Sequence, residues 1–190
     1  MNTCIAHPLR IAAALSAALF LAPSAAPATE LPGRHGFDFM LGSWKSHFRL
    51  LRHPLTGSKE WIAFDGTIVD RSILGFVNMD EGVLFRTSGP EHSITVRVYN
   101  QKADEWSIYF GTDAGGALAL PATVGKFDEH DVGRFYDREP YHGKPIVVRY
   151  LWTHSSPNEC HYEQAFSSDN GKTWETNWIS DMTRVSQASR

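Results

Sequence analysis

Residues 93–110 read Ser-Ile-Thr-Val-Arg-Val-Tyr-Asn-Gln-Lys-Ala-Asp-Glu-Trp-Ser-Ile-Tyr-Phe, and this stretch decides the fold class. Successive side chains of a strand point to opposite faces, so one face of the first half carries three aliphatic residues, Ile94, Val96 and Val98. Turn-forming residues follow at 100–104. The second half carries a matching apolar face, formed by Trp106, Ile108 and Phe110. The pattern predicts an antiparallel hairpin.

The same alternation continues on both sides of this hairpin. No stretch after residue 30 has a capped 3.6-residue apolar stripe, and a short helical turn near 37–41 is the only helix candidate. The sequence predicts about ten antiparallel strands, arranged as a closed up-and-down barrel or a sandwich, with the barrel favoured. The strands are expected near residues 40–52, 59–69, 71–79, 82–88, 93–99, 106–110, 122–128, 131–137, 145–154, 159–167 and 173–184.

The composition is that of one globular domain and excludes several function classes. The chain has 190 residues, 42% of them hydrophobic, and a formal net charge of -3. Its 18 Lys and Arg are outnumbered by 21 Asp and Glu, so nucleic-acid binding through phosphate neutralisation is not expected. Two cysteines cannot form a disulfide framework or a thiolate zinc site.

The N-terminus has the pattern of a secretory signal peptide. A basic start precedes the apolar run 11–22, which is too short to span a bilayer, and small residues follow it. Ala26-x-Ala28 is the preferred cleavage signal. The sequence thus predicts a signal peptide at 1–28, a linker at 29–36, a barrel domain at 37–185 and a tail at 186–190. The mature protein is expected to be exported and to have no membrane span.

The first and last predicted strands resemble those of lipocalin-like (calycin) barrels. Such barrels have a Gly-x-Trp on the first strand at the closed end, and here Gly42 and Trp44 supply it. An arginine of the last strand stacks on the indole, and Arg184 matches that position. The resemblance implies a sealed barrel end, in which the guanidinium lies flat on the ring as a cation–π pair. It favours the barrel over the sandwich.

A second motif, Ser-x-Asp-x-Gly-x-Thr-Trp, lies at 167–174 and is similar to the Asp box of sialidase-like propellers. The motif occurs once, and the chain is too short for a six-bladed propeller. We interpret it as a hairpin turn. Gly171 supplies a positive φ, Asp169 accepts hydrogen bonds from turn amides, and Trp174 covers the base of the strand.

Several segments together resemble an uncharacterised bacterial family, domain of unknown function family 1579. The resemblance covers about 37–185 and implies a calycin-like barrel without an established activity, in a protein of the bacterial periplasm or exterior. It transfers no catalytic residue. The segments that carry it are Phe37-Asp38-Phe39 with Gly42 and Trp44, Glu60-Trp61, Phe64-Asp65-Gly66, Gln164-Ala165-Phe166-Ser167, and Gly171-Lys172-Thr173-Trp174-Glu175-Thr176-Asn177-Trp178.

Hairpin lengths predict which side chains line the barrel. A four-residue loop at 155–158 places Arg149 opposite Gln164, and the turn at 167–173 places Gln164 opposite Thr176. The opposite face is more charged, with His161, Glu163, Glu175, Asn177 and Asp181, so the first face is expected inside. The predicted ligand-binding residues are Phe48, Trp106, Ile108, Arg149, Tyr162, Gln164, Phe166, Thr176 and Trp178.

An aromatic interior with one polar row indicates a pocket for a small apolar or amphipathic ligand, with a carboxylate to meet Arg149. One alternative is a packed interior, in which Arg149 bonds main-chain carbonyls and the protein is structural. Another is a small isomerase or hydrolase that uses Arg149 with Glu163. Binding is favoured because the register places Glu163 on the other face. The sequence predicts no catalytic residue, metal or cofactor, reads 128–131 as a polar turn, and leaves the oligomeric state open.

Overall fold

The computed structural model describes residues 31–187, and within them ten strands form one closed antiparallel barrel. The predicted signal peptide lies outside the described residues, as do 188–190. The strands are β1 Gly42–Leu51, β2 Trp61–Ile73, β3 Val77–Arg86, β4 Gly89–Asn100, β5 Glu105–Thr112, β6 Thr123–Phe127, β7 Gly133–Tyr141, β8 Lys144–Ser156, β9 Glu159–Ser167 and β10 Glu175–Gln187.

Each strand pairs with the next along the chain, and β1 also pairs with β10. The predicted up-and-down barrel is therefore confirmed. Closure gives each of the ten strands a paired neighbour on both sides, which is how a barrel limits edge-to-edge association.

The boundary between the second and third strands differs from the prediction. Breaks were expected near Asp70 and Asp80, but both residues lie within strands, and the turn is at 74–76. Both aspartates are almost fully buried. Aspartate favours turns when its side chain bonds nearby amides, and here both carboxylates bond an interior arginine instead.

The face of β4 is the reverse of that predicted. Asn100 pairs with Glu105, so odd residues of β4 share a face with even residues of β5. The interior therefore receives Arg97 opposite Ile108 and Tyr99 opposite Trp106. The expectation that Ile94, Val96 and Val98 match the apolar face of β5 was wrong, because the register across the turn at 100–104 pairs odd residues of β4 with even residues of β5.

Two bulges correct the predicted register of the last three strands. An irregularity between His154 and Ser156 places Gln164 opposite Tyr150, and Arg149 opposite Ala165. A second irregularity, between Thr176 and Trp178, places Gln164 opposite Trp178. A one-residue slip moves a side chain to the other face of the sheet. The predicted row of Arg149, Gln164 and Thr176 was therefore wrong.

One end of the barrel, here called the base, is sealed by the chain that precedes β1. Two 3-10 turns, Pro32–His35 and Asp38–Met40, cross this end. They occupy part of the predicted linker and the predicted helical turn. Met40 of the second turn belongs to a buried cluster, and Phe39 packs against it. The cluster consists of Phe37, Met40, Trp44, Tyr99, Trp106, Ile108, Phe135, Trp152, Cys160 and Met182.

Arg184 holds the base together in the way that the calycin resemblance implies. Its guanidinium carbon lies 4.1 Å from the ring centre of Trp44, and the two residues pair across β1 and β10. The guanidinium also donates to the carbonyls of Phe39, Leu41 and Pro157 at 2.6, 2.5 and 2.7 Å. The Trp44 indole donates to the Met40 carbonyl at 2.6 Å. One side chain thus ties the first strand, the last strand and the base segment.

The opposite end, here called the mouth, carries a second apolar cluster. Ile146, Val148 and Phe166 form its buried part. Leu55, from the loop between β1 and β2, packs against them, and its amide donates to the Glu175 carboxylate at 2.5 Å. The loop therefore folds onto the rim of the barrel on the side of β8 to β10.

Candidate functional site

Between the base and the mouth the barrel encloses a cavity of about 100 Å³. Eight of the ten strands contribute to it, and β6 and β7 do not. Its lining is formed by Phe48, Ile68, Asp80, Leu84, Ser93, Thr95, Arg97, Ile108, Phe110, Tyr150, Trp152, Tyr162, Gln164, Trp178, Ser180 and Met182.

The walls toward the mouth are aromatic. Phe48 stacks on Phe64 with ring centres 5.2 Å apart, and Trp178 meets both rings edge-on. Such edge-to-face and offset contacts are the favoured geometries of aromatic pairs. They give the upper part of the cavity a rigid apolar wall.

Two neutral polar groups of the lining are bonded to side chains outside it. Gln164 donates to Asn177 at 2.8 Å, and the hydroxyls of Ser180 and Ser46 lie 2.6 Å apart. These two groups therefore already have a hydrogen-bond partner in the protein.

The most polar part of the cavity is an ion cluster around Arg97, which sequence reasoning missed. Arg97 donates to Asp70 at 3.0 Å, to Asp80 at 2.5 Å and to the Asn78 amide oxygen at 2.6 Å. Asn78 in turn donates to Asp70 at 2.6 Å. None of the four residues is more than 4% exposed. A buried arginine is tolerated only with such partners, and here they come from β2 and β3.

Arg97 is also enclosed by aromatic rings. Its guanidinium carbon lies 4.8 Å from the ring centre of Phe37 and 5.1 Å from that of Trp152. In this part of the cavity, the Arg97 Nε and the Trp152 Nε1 are two donor atoms that have no acceptor among the described residues. Both residues line the cavity.

Burial dominates the proton affinities around the cavity. It raises the pKa of Asp70 to about 7, although the Arg97 charge opposes the shift. Burial likewise raises the pKa of Tyr150 to about 12. Shifts of this direction are those of groups removed from water. The interior is therefore a poorly solvated environment.

A second arginine lies nearer the mouth. The Arg86 guanidinium carbon is 3.8 Å from the ring centre of Phe64 and 5.7 Å from that of Trp178. Its Nε donates to Glu91 at 2.9 Å. This half-buried ion pair lies over the aromatic wall on the mouth side.

The structure brings five of the nine predicted ligand-binding residues to the cavity: Phe48, Ile108, Tyr162, Gln164 and Trp178. Trp106 packs in the base cluster, and its indole donates to the Gly33 carbonyl at 2.7 Å. Phe166 packs in the mouth cluster. Arg149 lies on the outer face because of the bulge in β8, and Thr176 lies there because it is opposite Ala165 rather than Gln164.

On the outer face Arg149 stacks on Trp174, with its guanidinium carbon 4.6 Å from the ring centre. Glu163 lies on the same face and accepts from His161 at 3.0 Å, while the other ring nitrogen of His161 lies 2.6 Å from Asp181. Burial alone would lower the pKa of His161, but these two carboxylates outweigh it and raise that pKa. The pair Arg149 and Glu163 therefore does not reach the interior.

The turn at 167–174 has the geometry of an Asp box. Asp169 accepts from the Thr173 hydroxyl at 2.6 Å and from the amides of Thr173 and Lys172 at 2.9 and 3.0 Å. These bonds, the hydroxyl bond first, hold the pKa of Asp169 well below its usual range. Asn170 and Gly171 both have positive φ, 63° and 88°. This segment is a tight turn on the rim, as the sequence predicts.

The described residues contain no group of three or more His, Cys, Asp or Glu side chains placed to hold a metal ion. Between residues 31 and 187, no helix has the length and apolar character to cross a membrane.

Residues that sequence reasoning missed lie mainly on β3, β4 and β8. A signal for Arg97 was available, because counting back from Trp106 across the turn at 100–104 places Arg97 beside Ile108. No comparable signal exists for Tyr150 and Trp152, whose inward direction depends on the bulge at 154–156.

No protein-family model matches the sequence, and no curated protein does, so membership of family 1579 stays a prediction. Two solved structures have a similar fold. Rv2717c from M. tuberculosis is 11% identical with a TM-score of 0.54, over 82% of this chain and 99% of that one. The S-type phycobiliprotein lyase CPES from Guillardia theta is 10% identical with a TM-score of 0.52, over 80% and 91%. These matches support the calycin-like barrel fold.

Proposed function

We propose that this barrel binds one small, mainly apolar ligand in its interior cavity. The observation that carries the proposal is the lining itself, in which aromatic and aliphatic side chains surround a few polar groups. Binding sites for small molecules have this composition, with apolar walls that supply affinity and sparse polar groups that fix orientation.

The size of the cavity limits the ligand. About 100 Å³ is well below the ~300–1,000 Å³ of pockets that enclose drug-sized molecules. The cavity fits a single five- or six-membered ring, or the leading end of a longer amphipathic molecule that continues toward the mouth.

Native mass spectrometry of the protein purified without denaturation is the first test. A retained adduct that dissociates on unfolding supports the proposal. Methylenecyclopentane and cyclopentanone then serve as probes in thermal unfolding, because a ligand that binds only the folded state stabilises it. At ten times its Kd such a probe adds about 1.4 kcal/mol, or roughly 3–6 °C in Tm for a chain of this size.

Two neighbouring residues give a matched pair of variants. Leu84 lines the cavity, whereas Phe85 lies on the outer face and is 52% exposed. Leu84→Trp fills the cavity and is expected to abolish the probe-induced rise in Tm, and Phe85→Trp is expected to keep it. Circular dichroism verifies that both variants fold. If neither probe shifts the wild type and no adduct is retained, the interior is simply packed and the proposal fails.

We also propose that the protein acts outside the cytoplasm. The support is the sequence pattern of residues 1–28, with its short apolar run and small residues at the cleavage signal. Expression of the full chain in a bacterium tests this proposal. The expected product is a periplasmic or secreted protein whose intact mass lacks the first 28 residues, and an unprocessed cytoplasmic chain contradicts it.

A further inference from the structure

We infer that the ligand is uncharged and carries a hydrogen-bond acceptor oxygen, which accepts from Arg97 Nε and Trp152 Nε1. This inference rests on the proposed function and specifies the chemistry of its ligand. A carbonyl, ether or hydroxyl oxygen at one end of an apolar ring or chain fits the description.

The two unpartnered donors are the first observation. Both N–H groups are buried and have no acceptor among the described residues, and both side chains line the cavity. A buried donor without a partner destabilises the folded state, because it has lost its hydrogen bond to water. An acceptor that enters the cavity removes this penalty, so the cavity favours guests that bring one.

The two donors belong to one polar region. The guanidinium of Arg97 lies against the Trp152 ring, with its central carbon 5.1 Å from the ring centre. The other nitrogens of Arg97 already donate to Asp70, Asn78 and Asp80. The guanidinium has five N–H groups, and these bonds use three of them, so Nε–H and one Nη2–H can still donate to a guest.

The charges around Arg97 decide against an ionic guest. Two carboxylates face one guanidinium, so the cluster has no net positive charge whether or not one carboxylate holds a proton. A ligand carboxylate would be desolvated without a counter-charge, since Asp80 itself lines the cavity. A cationic group would bring further N–H donors to a region whose own donors, Arg97 Nε and Trp152 Nε1, already lack acceptors. The carboxylate ligand predicted from the sequence relied on Arg149, which is on the outer face.

Three probes with a five-membered ring compare a neutral acceptor, a hydrocarbon and an anion. Cyclopentanone offers an acceptor, methylenecyclopentane replaces its oxygen by a methylene group, and cyclopentanecarboxylate adds a negative charge. Dissociation constants are measured by NMR titration. We expect the ketone to bind about tenfold more tightly than the hydrocarbon, and the carboxylate at least tenfold more weakly than the ketone. The Trp152 Nε1–H and Arg97 Nε–H resonances are expected to shift with the ketone and to respond much less to the hydrocarbon.

Trp152→Phe keeps an aromatic ring and removes one donor, so the preference for the ketone over the hydrocarbon is expected to fall several-fold. Trp106→Phe is the matched control, because the Trp106 indole already donates to Gly33 in the base. This control is expected to leave the preference unchanged. If Trp152→Phe does not fold, the two side-chain resonances in the wild type still decide the question.

The outcomes distinguish this inference from the proposed function. If the hydrocarbon binds at least as tightly as the ketone, the barrel is a ligand-binding protein but its donors are held by water, and the inference is overturned. Tighter binding of the carboxylate overturns it as well. If none of the three probes binds and no adduct is retained, both the inference and the proposed function fail.

Discussion

Arg97 shows how a charged residue can belong to the core of an apolar barrel. It is 1% exposed and is paired with two carboxylates and an amide. Removing one member of a buried ion cluster leaves the others uncompensated in a medium of low dielectric, which is far more unfavourable than breaking a surface pair.

Arg97→Met is therefore expected to lower the free energy of unfolding by about 3–5 kcal/mol, measured by urea denaturation at pH 7. Arg71→Met is the control, because Arg71 pairs with Glu81 on the exposed surface and its loss is expected to leave the free energy of unfolding nearly unchanged. Equal effects of the two substitutions would show that the interior cluster contributes no more than a surface pair.

Asp70 gives the cluster a pH dependence. Its pKa is about 7 in the folded protein and near 3.9 when unfolded, so the folded state holds more protons between these values. Linkage then makes this contribution largest below about pH 4 and removes it as the pH rises through 7.

The Asp70→Asn variant has no such titration. The free energy of unfolding of the wild type is expected to fall relative to this variant between pH 4 and pH 7, by up to about 1.4 kcal/mol per pH unit. Denaturation of both proteins at several pH values measures the difference. A difference that stays constant with pH contradicts the assignment.

At the scale of single residues, sequence reasoning failed where a polar group had distant partners. Asp70 and Asp80 were read as turn formers because aspartate usually is one, and nothing local reveals that Arg97 faces them from β4. The tryptophans were easier. Trp44 and Trp178 lie inside as predicted, since large aromatic side chains gain most from burial.

The strands and hairpins could be predicted, but their exact registers could not. Alternation of apolar residues indicates a strand wherever one face is buried, and turn residues mark its ends. A bulge adds one residue without a clear local signal. The bulge after His154 accounts for the misplacement of Arg149. Thr176 was misplaced because the register next to the turn at 167–174 is one residue away from the predicted one and pairs Thr176 with Ala165, and the bulge after Thr176 returns Trp178 to the inner face.

Arg184 adds side-chain contacts to the backbone pairing between the first and last strands. Arg184→Met keeps the length of the side chain and removes its three hydrogen bonds to carbonyls. We expect a loss of roughly 2–3 kcal/mol in the free energy of unfolding, since bonds to a charged donor are stronger than neutral ones.

Arg49→Met tests the same seam at a surface position. Arg49 pairs with Asp181 across β1 and β10 at 3.1 Å, and both side chains are nearly half exposed. Its loss is expected to change stability by less than about 1 kcal/mol in the same urea titration. If Arg49→Met is as damaging as Arg184→Met, the base does not depend specifically on the stacked arginine.

For the whole molecule, closure was the most predictable property. The number of strands, their antiparallel order and the pairing of first with last all follow from short alternating segments and from the Gly42, Trp44 and Arg184 resemblance. The interior was only partly predictable, because the lining of a cavity depends on which face of every strand points inward. Five of its lining residues were predicted, and its ion cluster was not.

Cys160 reports on opening of the whole barrel. It is 4% exposed in the base cluster, and burial raises the pKa of its thiol to about 12. Because the thiolate is the reactive form, iodoacetamide is expected to label Cys160 only when the barrel unfolds. Peptide mapping by mass spectrometry, with urea-unfolded protein as the control, measures the labelling. Rapid labelling of the native protein would mean that the base opens locally.

The sealed base determines from which end a ligand could enter the barrel. Within residues 31–187, the 3-10 turns and the Trp44–Arg184 stack block the base, so a guest would reach the interior from the mouth, the end at which Arg86 and Leu55 lie. A guest longer than one ring has no room to turn around inside. In the proposed complex, the ligand group that contacts Arg97 therefore enters the barrel first and leaves it last.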